Sequence, residues 1–269
     1  MALRADENLI KTMIKKRPQD SHKGTFGALQ FFCGSTNMTG APFLAITGAL
    51  RCGVGLVYVS AKGSLKKTLQ ARLAEPVFYG HSLSERATAF VVGCGSANNA
   101  KAAKKLLKQE KPTVIDADAI NWLSKNKELL KTKKCPTVLT PHAMEMSRLT
   151  GKSVDFINKN RELVASEAAK EFGSVVVLKG HETVIATPDG NIYINTTGNS
   201  GLSKGGSGDV LAGMIGAFLA QGYSPERAAV IAVWLHGKAA DELSQEISEH
   251  GLLPSEIPLQ AAKILKRFE

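Results

Sequence analysis

The sequence predicts an α/β protein: a single domain with a central, mainly parallel sheet and helices on both faces. Three observations carry that expectation. Short runs of β-branched and aromatic residues alternate with longer stretches of helical periodicity from residue 28 onward. Residues 28–33, 41–52 and 54–60 read as strand, helix and strand, a unit that favours parallel neighbours and a right-handed crossover. The 25 glycines suit many strand-to-helix turns.

The elements follow in order. Leu9, Ile10, Met13 and Ile14 lie at helical spacing in residues 6–17, and Pro18 ends that helix. A polar loop, residues 22–27, leads into the buried strand 28–33. Residues 34–40 form a glycine-bounded loop before the small-residue helix 41–52 and the strand 54–60. The alternation continues with a strand at 90–93, a helix at 97–109, a strand at 113–116 and a short helix at 117–124. A strand at 137–140, a helix starting in 141–150, a helix at 161–172 and a strand at 174–178 come next. Pro188, Asp189 and Gly190 read as a hairpin turn between strands at 183–187 and 191–195. Helices are expected at 209–221, 225–243 and from about 255.

Composition narrows the function. Hydrophobic residues make up 43% and charged residues 22% of 269, ordinary for a soluble globular chain. The formal net charge is +10. Lys101, Lys104, Lys105 and Lys108 have no aromatic residues among them, so they read as a solvated face and no nucleic-acid partner is expected. A positive field still draws in phosphorylated small molecules. Cys33, Cys52, Cys94 and Cys135 form no C-x-x-C pair and read as buried free thiols of a reducing, cytoplasmic compartment. No apolar signal core opens the chain, and the longest uncharged apolar stretch, 210–220, is too short to span a bilayer, so no membrane partner is expected.

The chain is organised around residues 198–213. Gly205, Gly206 and Gly208 crowd before Asp209, and Val210, Leu211, Met214, Ile215, Phe218 and Leu219 then mark one helical face. A glycine turn opening a helix aims backbone N–H groups at an anion, so Gly206, Ser207 and Gly208 are read as an anion cradle. Asp209, in the first turn, is either a cap or a base beside the phosphate. No G-K-[ST] follows the glycines, which excludes a Walker A loop.

Other strand ends carry further polar groups. Asp116 and Asp118 can hold a hydrated cation or bond a ligand hydroxyl, with a helix cap by Asp118 as the simpler alternative. His142 and Glu145 fall on one first turn, either as a capped start or facing a ligand. Lys179 followed by Gly180 is a fair phosphate contact. The motifs at 93–96, 116–118, 140–145, 179–183 and 205–209 all follow strands or hairpins, so they can line one sheet edge together. Six histidines, His22, His81, His142, His181, His236 and His250, are scattered, and none shares a metal-ligand spacing with another.

Taken together, His22 to Gly27, Thr39-Gly40-Ala41, Val91 to Gly95, Asp116 to Asp118, Thr140-Pro141-His142 with Glu145, Leu178 to Gly180, and Gly205 to Asp209 resemble the NAD(P)H-hydrate dehydratases of the ribokinase-like superfamily. The resemblance spans about residue 20 to about residue 243. It implies repair of hydrated NADH and NADPH, using a nucleotide, ADP in bacterial members or ATP in eukaryotic ones, with Mg²⁺. It implies nucleotide contacts at Lys179, Gly180, His181, Glu182, Thr183 and Gly208. Substrate contacts are implied at Ala41, Gly95, His142 and Asp209, with Asp209 catalytic. Asp116 and Glu145 are candidate ligands for Mg²⁺ through water. The family pattern Gly-Pro-Gly-Leu-Gly is Gly93-Cys94-Gly95-Ser96-Ala97 here, so its last glycine is replaced. The resemblance further implies a homotetramer and, with no room for a fused epimerase domain, a separate epimerase. Two other readings share the cradle: a vitamin or sugar-alcohol kinase of the same superfamily, and a non-catalytic nucleotide sensor.

Overall fold

The computed structural model describes residues 2–80 and 82–269, so His81 lies outside the described residues. The chain runs β1 (Leu3–Ala5), α1 (Glu7–Met13), β2 (Ala28–Phe32), α2 (Gly40–Arg51), β3 (Leu56–Ser60), α3 (Gly63–Gln70) and β4 (Val77–Tyr79). It continues β5 (Ala89–Val92), α4 (Ala102–Leu106), β6 (Thr113–Ile115), α5 (Ala117–Leu123), α6 (Glu128–Lys131), β7 (Thr137–Leu139), α7 (Ala143–Thr150), α8 (Val154–Lys159) and α9 (Arg161–Phe172). The last elements are β8 (Val175–Leu178), β9 (Val184–Ala186), β10 (Ile192–Asn195), α10 (Ser207–Ala220), α11 (Pro225–Leu243) and α12 (Ile257–Leu265).

Among the described residues, ten strands join one sheet in the order β1-β10-β9-β8-β7-β6-β5-β2-β3-β4. Of these, β9 runs antiparallel to its neighbours, through the hairpin expected at Pro188 to Gly190. The two faces can be read off the strands with period two. Phe31, Val91, Val114, Val138 and Val177 join α2, α10, α11 and α12 in one core. Phe32, Val92, Ile115, Leu139 and Leu178 join α4, α5, α7 and α9 in the other.

Several expectations are corrected in detail. The first helix stops at Met13, not near residue 17, because Ile14 turns extended. The helix expected over 97–109 divides into a 3-10 turn over Ala97–Lys101 and the short α4. The elements β1, α3, β4, α6 and α8 carry no expectation from the sequence. Each is short, and β1 exists only through its pairing with β10, 190 residues away. Among the described residues, no helix is long and apolar enough to cross a membrane. The four cysteines are free and buried, as expected.

Two features position the functional edge. First, β2 is flanked by β3 on one side and β5 on the other, so the order reverses there and a crevice opens at the strand ends. Second, α10 crosses α2 at backbone distance. A Cβ on Gly213 would lie 1.8 Å from the Ala45 carbonyl oxygen, and one on Gly48 would lie 2.7 Å from that of Val210. The small residues of both helices therefore set how close α10 approaches α2, and with it where its N-terminus points.

Candidate active site

The N-terminus of α10 faces a cavity of about 550 Å³ at the carboxyl edge of the sheet. Gly206 is the residue before the helix, at φ 105°, and no side chain caps it. That backbone favours glycine, and a Cβ there would also meet Leu44 at 2.4 Å. Ser207, Gly208 and Asp209 then form the first turn, so their N–H groups have no partners within the helix.

Four strand ends contribute the rest. Asp116 follows β6 and is 2% exposed. Its Oδ1 accepts from Thr140 Oγ1 at 2.6 Å and from Lys179 Nζ at 2.9 Å. The Cys94 thiol, from the β5 end, donates to Oδ2 at 3.7 Å. His142 and Glu145 form a capping box on α7: Met144 N–H donates to His142 Nδ1 at 3.1 Å, and His142 N–H donates to Glu145 Oε2 at 2.8 Å. Glu145 Oε2 also lies 3.9 Å from Lys179 Nζ. The capped start anticipated from the sequence is thus present, and the imidazole still lines the cavity.

Two carboxylates, Asp116 and Glu145, therefore flank one ammonium, and the Asp209 carboxylate lies within 4.8 Å of that of Asp116. Burial opposes the Lys179 charge, but Asp116 and Glu145 outweigh it and hold its pKa above the ordinary value. Burial raises Glu145, with Lys179 opposing. Asp209 has no cation of its own. Burial first, then the nearby Asp116 charge, push its pKa up to about 7, against the pull of Lys179. A carboxylate so poised is a far stronger base than an ordinary aspartate.

The sequence-derived residues fall in four places. Asp116, His142, Glu145, Lys179, Gly180, Thr183, Gly206, Ser207, Gly208 and Asp209 all line the first cavity. Gly180, His181 and Thr183 line a second, adjoining cavity of about 420 Å³. Glu182 lines neither, and sits exposed at φ 50° in the turn between β8 and β9. Ala41 and Gly95 stand apart at the crevice beside β2, where a Cβ on Gly95 would come within 2.8 Å of that of Ala41. Gly180 has a second constraint that the sequence does not show. A Cβ there would lie 3.0 Å from both Arg161 terminal nitrogens, and Arg161 Nη2 donates to the Leu178 carbonyl at 2.7 Å.

The metal expectation changes in form. Lys179, not open space, lies between Asp116 and Glu145. Among the described residues, the ligand atoms that gather within 4.8 Å of one another are those of Cys94, Asp116 and Asp209. Two hard carboxylates fit Mg²⁺, while the thiol and the ammonium do not complete a cage for it. The set suits a magnesium carried mainly by phosphate oxygens.

Ala117, Leu202, Ser203, Lys204, Leu211 and His236 also line the cavity, although the sequence assigns none of them a site role. Lys204 Nζ donates to the carbonyls of His250 and Leu252 at 2.6 and 2.5 Å, tying the cradle to the turn before α12. The available signal was His236, a lone polar residue in the buried run of α11.

The replaced family glycine has a structural consequence. Ala97 sits at φ 43°, a left-handed conformation that costs a residue with a Cβ about 1–2 kcal/mol. Its N–H donates to Asp118 Oδ2 at 2.8 Å, so Asp118 serves as a cap across two loops. Ala97→Gly should raise stability by about 0.5–1 kcal/mol, the relieved strain less the added freedom of the unfolded chain. A higher urea midpoint at unchanged slope would show it; a lower midpoint would refute it.

A glycine-opened helix at the carboxyl edge of such a sheet is an anion-binding arrangement common to several α/β folds, and the match to solved structures makes this fold ribokinase-like. A solved structure described as a ribokinase-like superfamily protein from Enterococcus faecalis matches at TM-score 0.88 and 28% identity, covering 99% of this chain and 96% of that one. Within that class, the chain belongs to the NAD(P)H-hydrate dehydratase family, whose sequence profile matches residues 29–263. It is 41% identical to an ADP-dependent (S)-NAD(P)H-hydrate dehydratase from Neisseria meningitidis over 268 residues, 95% of this chain and 90% of the relative. The crystal structure of the ADP/ATP-dependent NAD(P)H-hydrate dehydratase from Bacillus subtilis, co-crystallized with ATP/Mg²⁺, matches at TM-score 0.90 and 34% identity. That match covers 100% of this chain and 99% of the other.

Proposed function

We propose that this protein removes water from (6S)-NADH hydrate and (6S)-NADPH hydrate in a nucleotide-dependent repair reaction, with ADP as the co-substrate. The observation that carries the reading is Asp209, a carboxyl with its pKa pushed up to about 7 at the N-terminus of α10. Hydroxide leaves a ring poorly and phosphate leaves well. Asp209 takes the proton from the hydrate's hydroxyl as that oxygen attacks the terminal phosphoryl of the nucleotide. N–H groups of Gly206, Gly208 and Asp209 stabilise the charge that develops, while that of Ser207 donates to the Lys204 carbonyl at 3.3 Å. The C–O bond then breaks, phosphate leaves with the electron pair, and loss of a ring proton restores the dihydronicotinamide.

On this reading, Lys179, Gly180, His181, Glu182, Thr183 and Gly208 serve the nucleotide, and Ala41, Gly95, His142 and Asp209 serve the hydrate. A Cβ on Gly208 would lie 3.3 Å from Lys179 Nζ, so the ammonium stands against the cradle. Asp116 would hold a Mg²⁺ brought on the phosphates, which would neutralise their charge, while Asp209 stays off the metal as the base; Glu145 would reach it only through water. The family resemblance supports three further inferences: a homotetramer, a cytoplasmic location and a separate epimerase that supplies the correct hydrate epimer.

The test incubates the protein with NADH hydrate and Mg²⁺, adding ADP or ATP in turn. Recovered dihydronicotinamide absorbance with equimolar phosphate is the expected result, and the faster nucleotide is the donor. Phosphoryl transfer without recovered absorbance would make the protein a small-molecule kinase. Nucleotide binding without either would make it a sensor.

A further inference from the structure

Among the described residues, two buried polar atoms on the wall of the first cavity have no hydrogen-bond partner: Ser207 Oγ and His236 Nε2. Each side chain is 6% exposed. A buried polar atom left unpaired is costly, so two at one site mark a place built for a partner. Ser207 opens α10, while His236 comes from α11, where Val233, Trp234 and Leu235 before it and Ala239 after it are buried and apolar. The two helices pack against each other and place both residues on one wall of the cavity.

We propose that Ser207 Oγ and His236 Nε2 form an uncharged subsite that hydrogen-bonds a ribose hydroxyl of the nucleotide. The inference rests on the nucleotide-dependent reading above and names what that reading leaves open, the contacts of the sugar.

The chemistry favours a hydroxyl over a phosphate oxygen. Burial first, then the Lys179 charge, push the His236 pKa down to about 4, so the ring is neutral under working conditions. A neutral imidazole offers one N–H and one lone pair, and serine offers a donor and an acceptor. A phosphate oxygen only accepts, and finds no countercharge in this pair. A hydroxyl donates and accepts at once, so it can satisfy both atoms.

The location agrees. His236 lines both cavities. The first holds the charged groups Asp116, Glu145, Lys179 and Asp209. The second is lined by Asn195, Thr197, Asn199 and Ser200, with Glu249 bonded to Ser200. A nucleotide with its terminal phosphates at the glycine turn and its base in the second cavity carries its sugar across the shared wall.

Calorimetric titration tests the subsite. ADP, 2′-deoxy-ADP and 3′-deoxy-ADP are titrated with Mg²⁺ into the wild type, Ser207→Ala and His236→Leu. The wild type should bind one deoxynucleotide about tenfold more weakly than ADP, the scale of one hydrogen bond. In both variants ADP should fall to that weaker level and the difference between nucleotides should vanish. A merely structural role would weaken all three nucleotides alike and preserve their ratio. Ser207→Ala deletes a single oxygen, so it keeps the test available if His236→Leu fails to fold. Equal binding of all three nucleotides by the wild type, or a deoxy penalty that survives Ser207→Ala, would overturn the subsite alone. No binding of ADP to the wild type would overturn the nucleotide reading and the subsite with it.

Discussion

Asp209→Asn should lower turnover by about a hundredfold or more, the scale of losing a general base, while nucleotide still binds. Asparagine keeps the shape and nearly the volume but cannot take the proton. Restored dihydronicotinamide and released phosphate should fall together, because one transfer feeds both. A wild-type profile of kcat/KM against pH should rise tenfold per unit below about pH 7 and level off above it, since only the ionised carboxylate acts and its pKa is about 7. In the variant that rise should disappear.

The same residue should cost the wild type stability. Its folded pKa of about 7 stands above the unfolded reference of 3.8. The folded state therefore holds the proton more tightly, and the stability this gives is present below about pH 4 and lost as pH rises to about 7. Asp209→Asn escapes that loss. It should be more stable than the wild type at pH 8 by about 2 kcal/mol, taking half the full linkage because the group keeps some solvent contact. The gap should close toward pH 4. A helix cap predicts neither result, since asparagine caps almost as well as aspartate. Near-equal rates at pH 8 would end the catalytic assignment.

Lys179→Met should be the most destabilising single change at the site. The substitution leaves Asp116 and Glu145, 2% and 4% exposed, without the ammonium they share. Removing one partner from a buried ion pair costs about 3–5 kcal/mol. The loss should be largest at pH 8 and smaller at pH 6, as the orphaned carboxylates take up protons. Adding Asp116→Asn to Lys179→Met should restore part of the stability, which separates lost pairing from lost packing. The charge of Lys179 also holds the Asp209 pKa down, so residual activity should titrate at higher pH than in the wild type. Urea midpoints for the wild type, both single variants and the double variant measure the coupling. An additive double variant would mean that Lys179 and Asp116 act independently.

Much of the architecture was legible in the sequence because strand and helix periods are local. Arg161–Phe172 and Pro225–Leu243 fold over the very stretches their spacing marks. Short elements such as β4 and α6 were not legible, since three or four residues carry no period. Boundaries moved where a side chain from elsewhere decides: Asp118 ties down Ala97 and helps make a 3-10 turn of what reads as a plain helix start.

By itself the sequence determined the α/β class, the order of the motifs and the glycine turn before Asp209, because each is written within a few neighbouring residues. It also carried enough motifs, in order, to point to the family. Only the tertiary structure decided what those residues do to one another. Lys179 reads as a free cation for phosphate, yet it is bound to Asp116, 63 positions earlier in the chain. Asp209 reads equally as cap or base, and its raised pKa comes from burial and from the Asp116 charge. Ser207 and His236 carry no shared signal in the chain, and they line one cavity only because α10 and α11 fold together. Pairings of this kind depend on distances across the sheet and between helices, and no local spacing encodes them.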